Sequence, residues 1–260
     1  MNLGNYVGRH AEWYDLFYGE KPYRDEAFFV DSCFQKFGSS SGNKRVLELA
    51  CGTGQHALSL EQRGYDIVAI DSSPDMLARA REKASKTGSK IDFQVQDMCR
   101  LELGGRKFSG AYSLFDSIGY VETNEAVESI FSGLSHYLEP GSIFIFEFWH
   151  AAAMLRHHDR VRTRRWQLPS NQGEIFRVAE TSLDFERCTA SVAYTIYELR
   201  ADNSYFRHIE TQTGRYFHIL EMTQLLRSTG FAPLKWYDGF REEERITDRT
   251  WHVVAVTQKI

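Results

Sequence analysis

Apolar residues recur along this chain with two different periods, and the change between them divides it. Over residues 9–18 and 22–37, aromatic and aliphatic side chains return at helical spacing, so both stretches are predicted helices. The polar run GSSSGN (38–43) is a loop. Short apolar runs then alternate with amphipathic ones. Strands are predicted at Arg45–Leu49, Asp66–Ile70, Ile91–Val95 and Phe108–Phe115, and the apolar run SIFIFEF (142–148) reads as a fifth, fully buried strand. Helices are predicted at Ala57–Arg63, at MLARAREKASK (76–86) and at Glu125–Leu138, the last stopped by Pro140-Gly141. Ser73 suits the N-cap of the second of these, with Pro74 in its first turn. Strands alternating with helices at this spacing imply a parallel sheet joined by right-handed crossovers.

The rhythm breaks after Trp149. From about Arg162 to Arg215 the chain favours strands without helices, read as an antiparallel sheet inserted after the fifth strand. Leu220–Ser228 is again a helix, ending at Gly230, and Phe231–Tyr237 and Thr250–Gln258 form a closing β-hairpin. A doubly wound sheet that ends in a hairpin carries an antiparallel strand near its edge. The expected fold is thus α/β: a Rossmann-like, doubly wound, mostly parallel seven-stranded sheet ending in a β-hairpin, with an inserted antiparallel β-sheet. The expected division is a helical lid at 1–43, a nucleotide-binding domain at 44–150 and 218–260, and the insert at 151–217.

Composition narrows the class of function. The formal charge is −4, which argues against a general nucleic-acid binder. No run is long and apolar enough to span a bilayer, and the N-terminus has neither a secretory nor a myristoylation pattern. Cys33, Cys51, Cys99 and Cys188 are far apart, as reduced thiols in a cytoplasmic protein would be. His157 and His158 lack a third ligand at sensible spacing, so no metal site is expected.

The chemistry concentrates at Glu48-Leu-Ala-Cys-Gly52-Thr-Gly54, between a predicted strand and helix. Glycines there let the backbone turn sharply beside a ligand, and the helix N-terminus offers free N–H groups. Asp71 ends the next strand, where it can accept hydrogen bonds from ribose hydroxyls. A nicotinamide oxidoreductase meets the same loose fingerprint. Glu48, suited to a methionyl ammonium, points to a different cofactor. So do Gln96-Asp97-Met98, suited to an adenine amine and ring, and the closing hairpin.

ELACGTG (48–54), IDSSPDML (70–77) and QDM (96–98) resemble the successive cofactor motifs of the class I S-adenosylmethionine-dependent methyltransferases. The resemblance implies S-adenosyl-L-methionine as cofactor. It places Glu48, Ala50, Gly52 and Gly54 around the methionyl end, Asp71 at the ribose with Met76 nearby, Asp97 and Met98 at the adenine, and Phe115 beside them. Ala50 stands where the family pattern has its first glycine.

HAEWYDLFY (10–18), RKFS (106–109), SLFDSIGY (113–120) and LEPGSIFIFEFW (138–149) are similar to the aminosugar N,N-dimethyltransferases, and glycine N-methyltransferases share the layout. This implies a small-molecule acceptor, methylated on nitrogen and possibly a nucleotide-linked aminosugar, with the inserted sheet serving acceptor and homo-oligomer contacts. No nucleic-acid or membrane partner is expected. Tyr18 matches the tyrosine of the helix that closes over the cofactor in those enzymes. Asp116 and His150 lie just beyond the fourth and fifth strands, at the edge where ligands bind, and are the other candidate catalytic residues. Asp116 also departs from the sugar-enzyme pattern, which has a small residue there. Arg156, Arg160, Arg162, Arg164 and Arg165 would grip a diphosphate if gathered on one face. Two alternatives to a methyltransferase remain, a nicotinamide-dependent oxidoreductase and a non-catalytic S-adenosylmethionine-binding module.

Overall fold

The computed structural model describes residues 8–38, 44–168, 173–202 and 204–260; most of the GSSSGN loop lies outside them. Strands β1 (Arg45–Leu49), β2 (Asp66–Asp71), β3 (Asp92–Val95), β4 (Phe108–Ser113), β5 (Leu138–Trp149), β10 (Phe231–Asp238) and β11 (His252–Lys259) form a seven-stranded sheet of order β10-β11-β5-β4-β1-β2-β3. Pairing is parallel from β5 to β3, while β11 runs antiparallel to both its neighbours. The expected α/β sheet with its terminal hairpin is therefore present.

The run SIFIFEF shows how the sheet divides its core. Phe144, Phe146 and Phe148 point to one side, against Phe131 of α5 (Asn124–Tyr137) and Leu225 and Leu226 of α7 (Ile219–Ser228). Ile143 and Ile145 point to the other, sharing a core with Phe29 and Phe34 of α2 (Tyr23–Phe37), Leu60 of α3 (Gln55–Glu61) and Leu77 of α4 (Pro74–Thr87). A strand buried on both faces needs apolar residues at every position, which is why it shows no polar alternation. Glu147 is the exception, and it sits on the isoleucine face near the carboxyl end.

Local signals fix the helix ends. Ser73 accepts a hydrogen bond from the Met76 amide at 3.3 Å, Pro74 opens α4, and left-handed Gly88 closes it. Pro140-Gly141 behaves differently from the sequence expectation. Helix α5 ends earlier, at Tyr137, and the pair lies inside β5, where the register against β4 shifts between Phe108 and Gly110. A proline without an amide proton is tolerated at such an irregularity.

The insert is a four-stranded antiparallel sheet, β6 (Val161–Gln167), β7 (Gly173–Asp184), β8 (Thr189–Arg200) and β9 (Tyr205–Arg215), in that order. Ile175 and Ile196 on one face pack against Trp13 and Phe17 of α1 (Arg9–Phe17). Thus α1 lies between the inserted sheet and the large sheet. A seven-residue helix, α6 (Ala151–His157), precedes the insert; the sequence reading had no element there.

Candidate active site

The turn after β1 is left-handed at three points, with φ of 53° at Ala50, 56° at Gly52 and 75° at Gly54. Asp71, ending β2, ties this turn to the next. Its two carboxylate oxygens accept from the amides of Gly52 and Ser73, each at 2.8 Å. Burial pushes the Asp71 carboxyl up, and those two amides oppose the shift. The Gln96 amide in turn donates to the Asp71 carbonyl at 3.0 Å, which draws the segment after β3 alongside. There Asp97 is exposed, accepting from the Cys99 amide at 2.8 Å, and Met98 is half-buried against the phenylalanine side of the core. Residues read as methionyl, ribose and adenine contacts thus lie along one edge of the sheet.

Glu48 is buried, and one of its carboxylate oxygens has no hydrogen-bond partner among the described residues. Burial holds its carboxyl well above the ordinary range, with the Tyr112 phenol opposing and Asp71 adding to the shift. A buried carboxyl with one open oxygen beside a glycine turn suits a cationic ammonium, which would restore its charge. Cys51, inside the turn, is buried and its thiol is pushed far up, so it packs and does not attack.

Helix α1 covers the turn. Tyr14 and Ala11 pack on Met76, and a side chain on Gly52 would meet Met76 Cε at 3.4 Å and the Tyr14 hydroxyl at 3.9 Å. Asp15 fastens the helix, accepting from Thr53 Oγ1 at 2.8 Å and pairing with Lys83 at 2.6 Å.

Beyond the turn two clefts, of about 840 and 720 Å³, share Tyr18, Phe115, Arg164 and His252. The Phe115 ring stands edge-on to Tyr18 with centroids 4.9 Å apart, and Lys21 sits 5.0 Å above it. Phe115 and Asp116 are consecutive left-handed residues, with φ of 62° and 56°. Such strain persists only where its surroundings hold it, and it turns both side chains to the cleft.

Asp116 meets two residues that the sequence reading did not single out. His252 Nδ1 lies 2.8 Å from Asp116 Oδ2 and 3.2 Å from Glu147 Oε1, while Glu147 Oε2 accepts from the Phe115 amide at 2.6 Å. Burial raises the Asp116 carboxyl to about 6, against the pull of His252. Burial would lower the His252 imidazole, but the two carboxylates outweigh it and hold it up at about 11. Burial also opposes ionisation of Glu147, yet His252 and the Phe115 amide keep it below its ordinary value. Asp116 Oδ1 is buried and has no hydrogen-bond partner among the described residues. The signal for Glu147 was present as the one charge in the apolar run SIFIFEF; His252 gave none, being an ordinary first residue of a strand.

His150 is elsewhere. It is buried at the start of α6 with Nδ1 3.2 Å from the Thr250 carbonyl, and it lines neither cleft. The predicted arginine cluster also divides. Arg156 pairs with Asp248 and Arg165 approaches Glu174, whereas Arg162 and Arg164 line the smaller cleft.

A methyltransferase-domain family matches residues 46–141. The chain is 35% identical to a glycine/sarcosine N-methyltransferase of Halorhodospira halochloris over 239 residues, 91% of this chain and 82% of that one. The chain belongs to the class I S-adenosylmethionine-dependent methyltransferases. A dTDP-3-amino-3,4,6-trideoxy-alpha-D-glucopyranose N,N-dimethyltransferase of Streptomyces venezuelae is 32% identical over 54% of this chain and 57% of its own. The amino pentose methyltransferase of Micromonospora echinaspora, solved with S-adenosylmethionine bound, shares the fold with a TM-score of 0.76 at 19% identity, each chain covered completely. Membership in this class removes the nicotinamide and non-catalytic readings. Among the described residues, no helix is long and apolar enough to cross a membrane.

Proposed function

We propose that this methyltransferase acts on the nitrogen of a small amine, held beside Tyr18 and Phe115 with its charge on Asp116 and Glu147. The observation that carries this reading is Asp116 itself: a buried carboxyl with one unpartnered oxygen, facing the cleft and raised to about 6. S-adenosylmethionine supplies a methyl group activated on a sulfonium. The acceptor nitrogen needs a free lone pair, and an amine arrives protonated. Asp116 is ionised at neutral pH, attracts the ammonium and takes its proton, while His252 keeps the neighbouring carboxylates from repelling each other. Tyr18 and the Phe115 ring orient the nitrogen and exclude water.

In the same proposal Glu48, Ala50, Gly52, Gly54, Asp71, Met76, Asp97, Met98 and Phe115 hold the cofactor, and His150 serves structure instead of catalysis. The names of the two curated relatives support an amine acceptor, and the Streptomyces relative supports an aminosugar. The inserted sheet is proposed as the homo-oligomer surface, since Tyr205, Phe206 and Ile209 on β9 are exposed. The test is methyl transfer from labelled S-adenosylmethionine to amino acids, free aminosugars and nucleotide-linked aminosugars. Labelled N-methyl product with any of them supports the reading; transfer only to hydroxyl or carbon acceptors sinks it.

A further inference from the structure

The face of the inserted sheet that lines the smaller cleft carries three arginines, and the two acids on that face are engaged elsewhere, Glu198 with Arg9 and Arg200 and Glu210 with His208 and Gln212. Arg164 on β6 stands directly opposite Arg177 on β7. Residues directly opposite share a face, and like charges there repel. Arg162 lies on that face too, two residues before Arg164, and all three line the cleft with Tyr194. No side chain of the three makes a hydrogen bond or ion pair with a described residue.

Arg177 is the decisive member. It is only 9% exposed, and its guanidinium lies 4.7 Å from the Phe17 ring, 4.8 Å from Trp166 and 5.0 Å from Tyr194. Its Nη1 is buried without a partner among the described residues. Aromatic faces satisfy part of the charge, but a guanidinium carries five N–H donors that need acceptors. Arg215, equally buried, shows the usual solution by holding Glu221 and Asn124. A buried, unpaired arginine facing a second arginine costs stability unless an anion joins them.

We propose that Arg177, with Arg164 and Arg162, binds an anionic oxygen group of the methyl acceptor, a carboxylate or a phosphate. Resting on the amine reading above, this makes the acceptor bipolar: its ammonium at Asp116, its acid at Arg177, in one cleft of about 720 Å³. Guanidinium geometry suits both kinds of oxyanion, and the probes below separate them.

The test is calorimetric titration of the protein saturated with S-adenosylhomocysteine, using acetate, inorganic phosphate and pyrophosphate as probes and neutral acetamide as the control. The expected result is saturable binding of at least one anion and none of acetamide. Preference for acetate assigns a carboxylate, preference for phosphate or pyrophosphate a phosphorylated acceptor. Arg177→Met, which keeps the apolar packing, weakens the anion at least tenfold and leaves S-adenosylhomocysteine affinity unchanged; Arg177→Lys loses less. Should Arg177→Met fail to fold, exposed Arg164→Gln replaces it, with about a threefold loss expected. No anion binding, or binding equal in the wild type and the arginine variants, overturns the proposal. Neither amine nor methyl transfer enters this measurement. Failure of the amine reading shows separately, as unchanged methyl transfer in Asp116→Asn.

Discussion

Replacing Gly54 by alanine strains the cofactor turn at its tightest point. Gly54 has φ of 75°, and a Cβ there would lie 3.0 Å from two atoms of the Phe93 ring and 3.1 Å from the Ala80 methyl. Holding a non-glycine residue in the left-handed region costs about 1–2 kcal/mol. Forcing a methyl into a packed site costs about 1–3 kcal/mol more. The sum, about 2–5 kcal/mol, corresponds in a chain of this size to a fall in Tm of roughly 5–15 °C. Ala50→Gly is the opposite exchange in the same turn, because Ala50 already has φ of 53°. Relief of about 1–2 kcal/mol, less about 0.4–1 kcal/mol for the freer unfolded chain, leaves the variant more stable by about 0.5–1 kcal/mol. Differential scanning calorimetry of both variants without ligand measures the two signs. S-adenosylhomocysteine titration should then show weaker binding to Gly54→Ala and undiminished binding to Ala50→Gly. A Gly54→Ala protein as stable as wild type, or a destabilised Ala50→Gly, would refute the left-handed turn.

Asp71→Asn removes a charged acceptor of two backbone amides and of the ribose as proposed above, so S-adenosylhomocysteine affinity should fall by roughly tenfold or more, read by calorimetry. Because Asp116 must be ionised to take a proton and its carboxyl sits at about 6, the rate of methyl transfer should climb with pH through about 6 and level off above it. Asp116→Asn should remove that limb and lower kcat by roughly a hundredfold. In His252→Gln the carboxyl of Asp116 loses its cationic neighbour and keeps Glu147, so the limb should move to higher pH; an unmoved profile would count against the cluster.

Much of the fold was legible because periodicity reports burial directly. SIFIFEF lacked polar alternation since both of its faces are covered, and the closing hairpin announced an antiparallel strand that β11 supplies. Helix α6 escaped because seven residues give less than two turns of pattern. Pro140-Gly141 was read as a helix stop, yet α5 had already ended and the pair bends β5. The left-handed turn after β1, proposed to hold the cofactor, was legible because its residues are close in sequence and its glycines have a backbone reason to be there. The proposed acceptor site was not, since Asp116, Glu147 and His252 come from three distant segments and meet only through the β4–β5–β11 order. Glu147 could have been found as the one charge in the apolar run SIFIFEF. Arg177 could not, since an arginine inside an otherwise amphipathic strand reads as a solvated position until its aromatic neighbours are known.

The most direct test is single-turnover transfer of labelled methyl from S-adenosylmethionine to an amine, for wild type and Asp116→Asn, with S-adenosylhomocysteine affinity measured on both proteins. The expected result is N-methylated product with the wild type, equal cofactor affinity in the two proteins, and transfer slowed by roughly a hundredfold in the variant. Equal rates in the two proteins, or methyl appearing only on acceptors without an amine, would contradict the account.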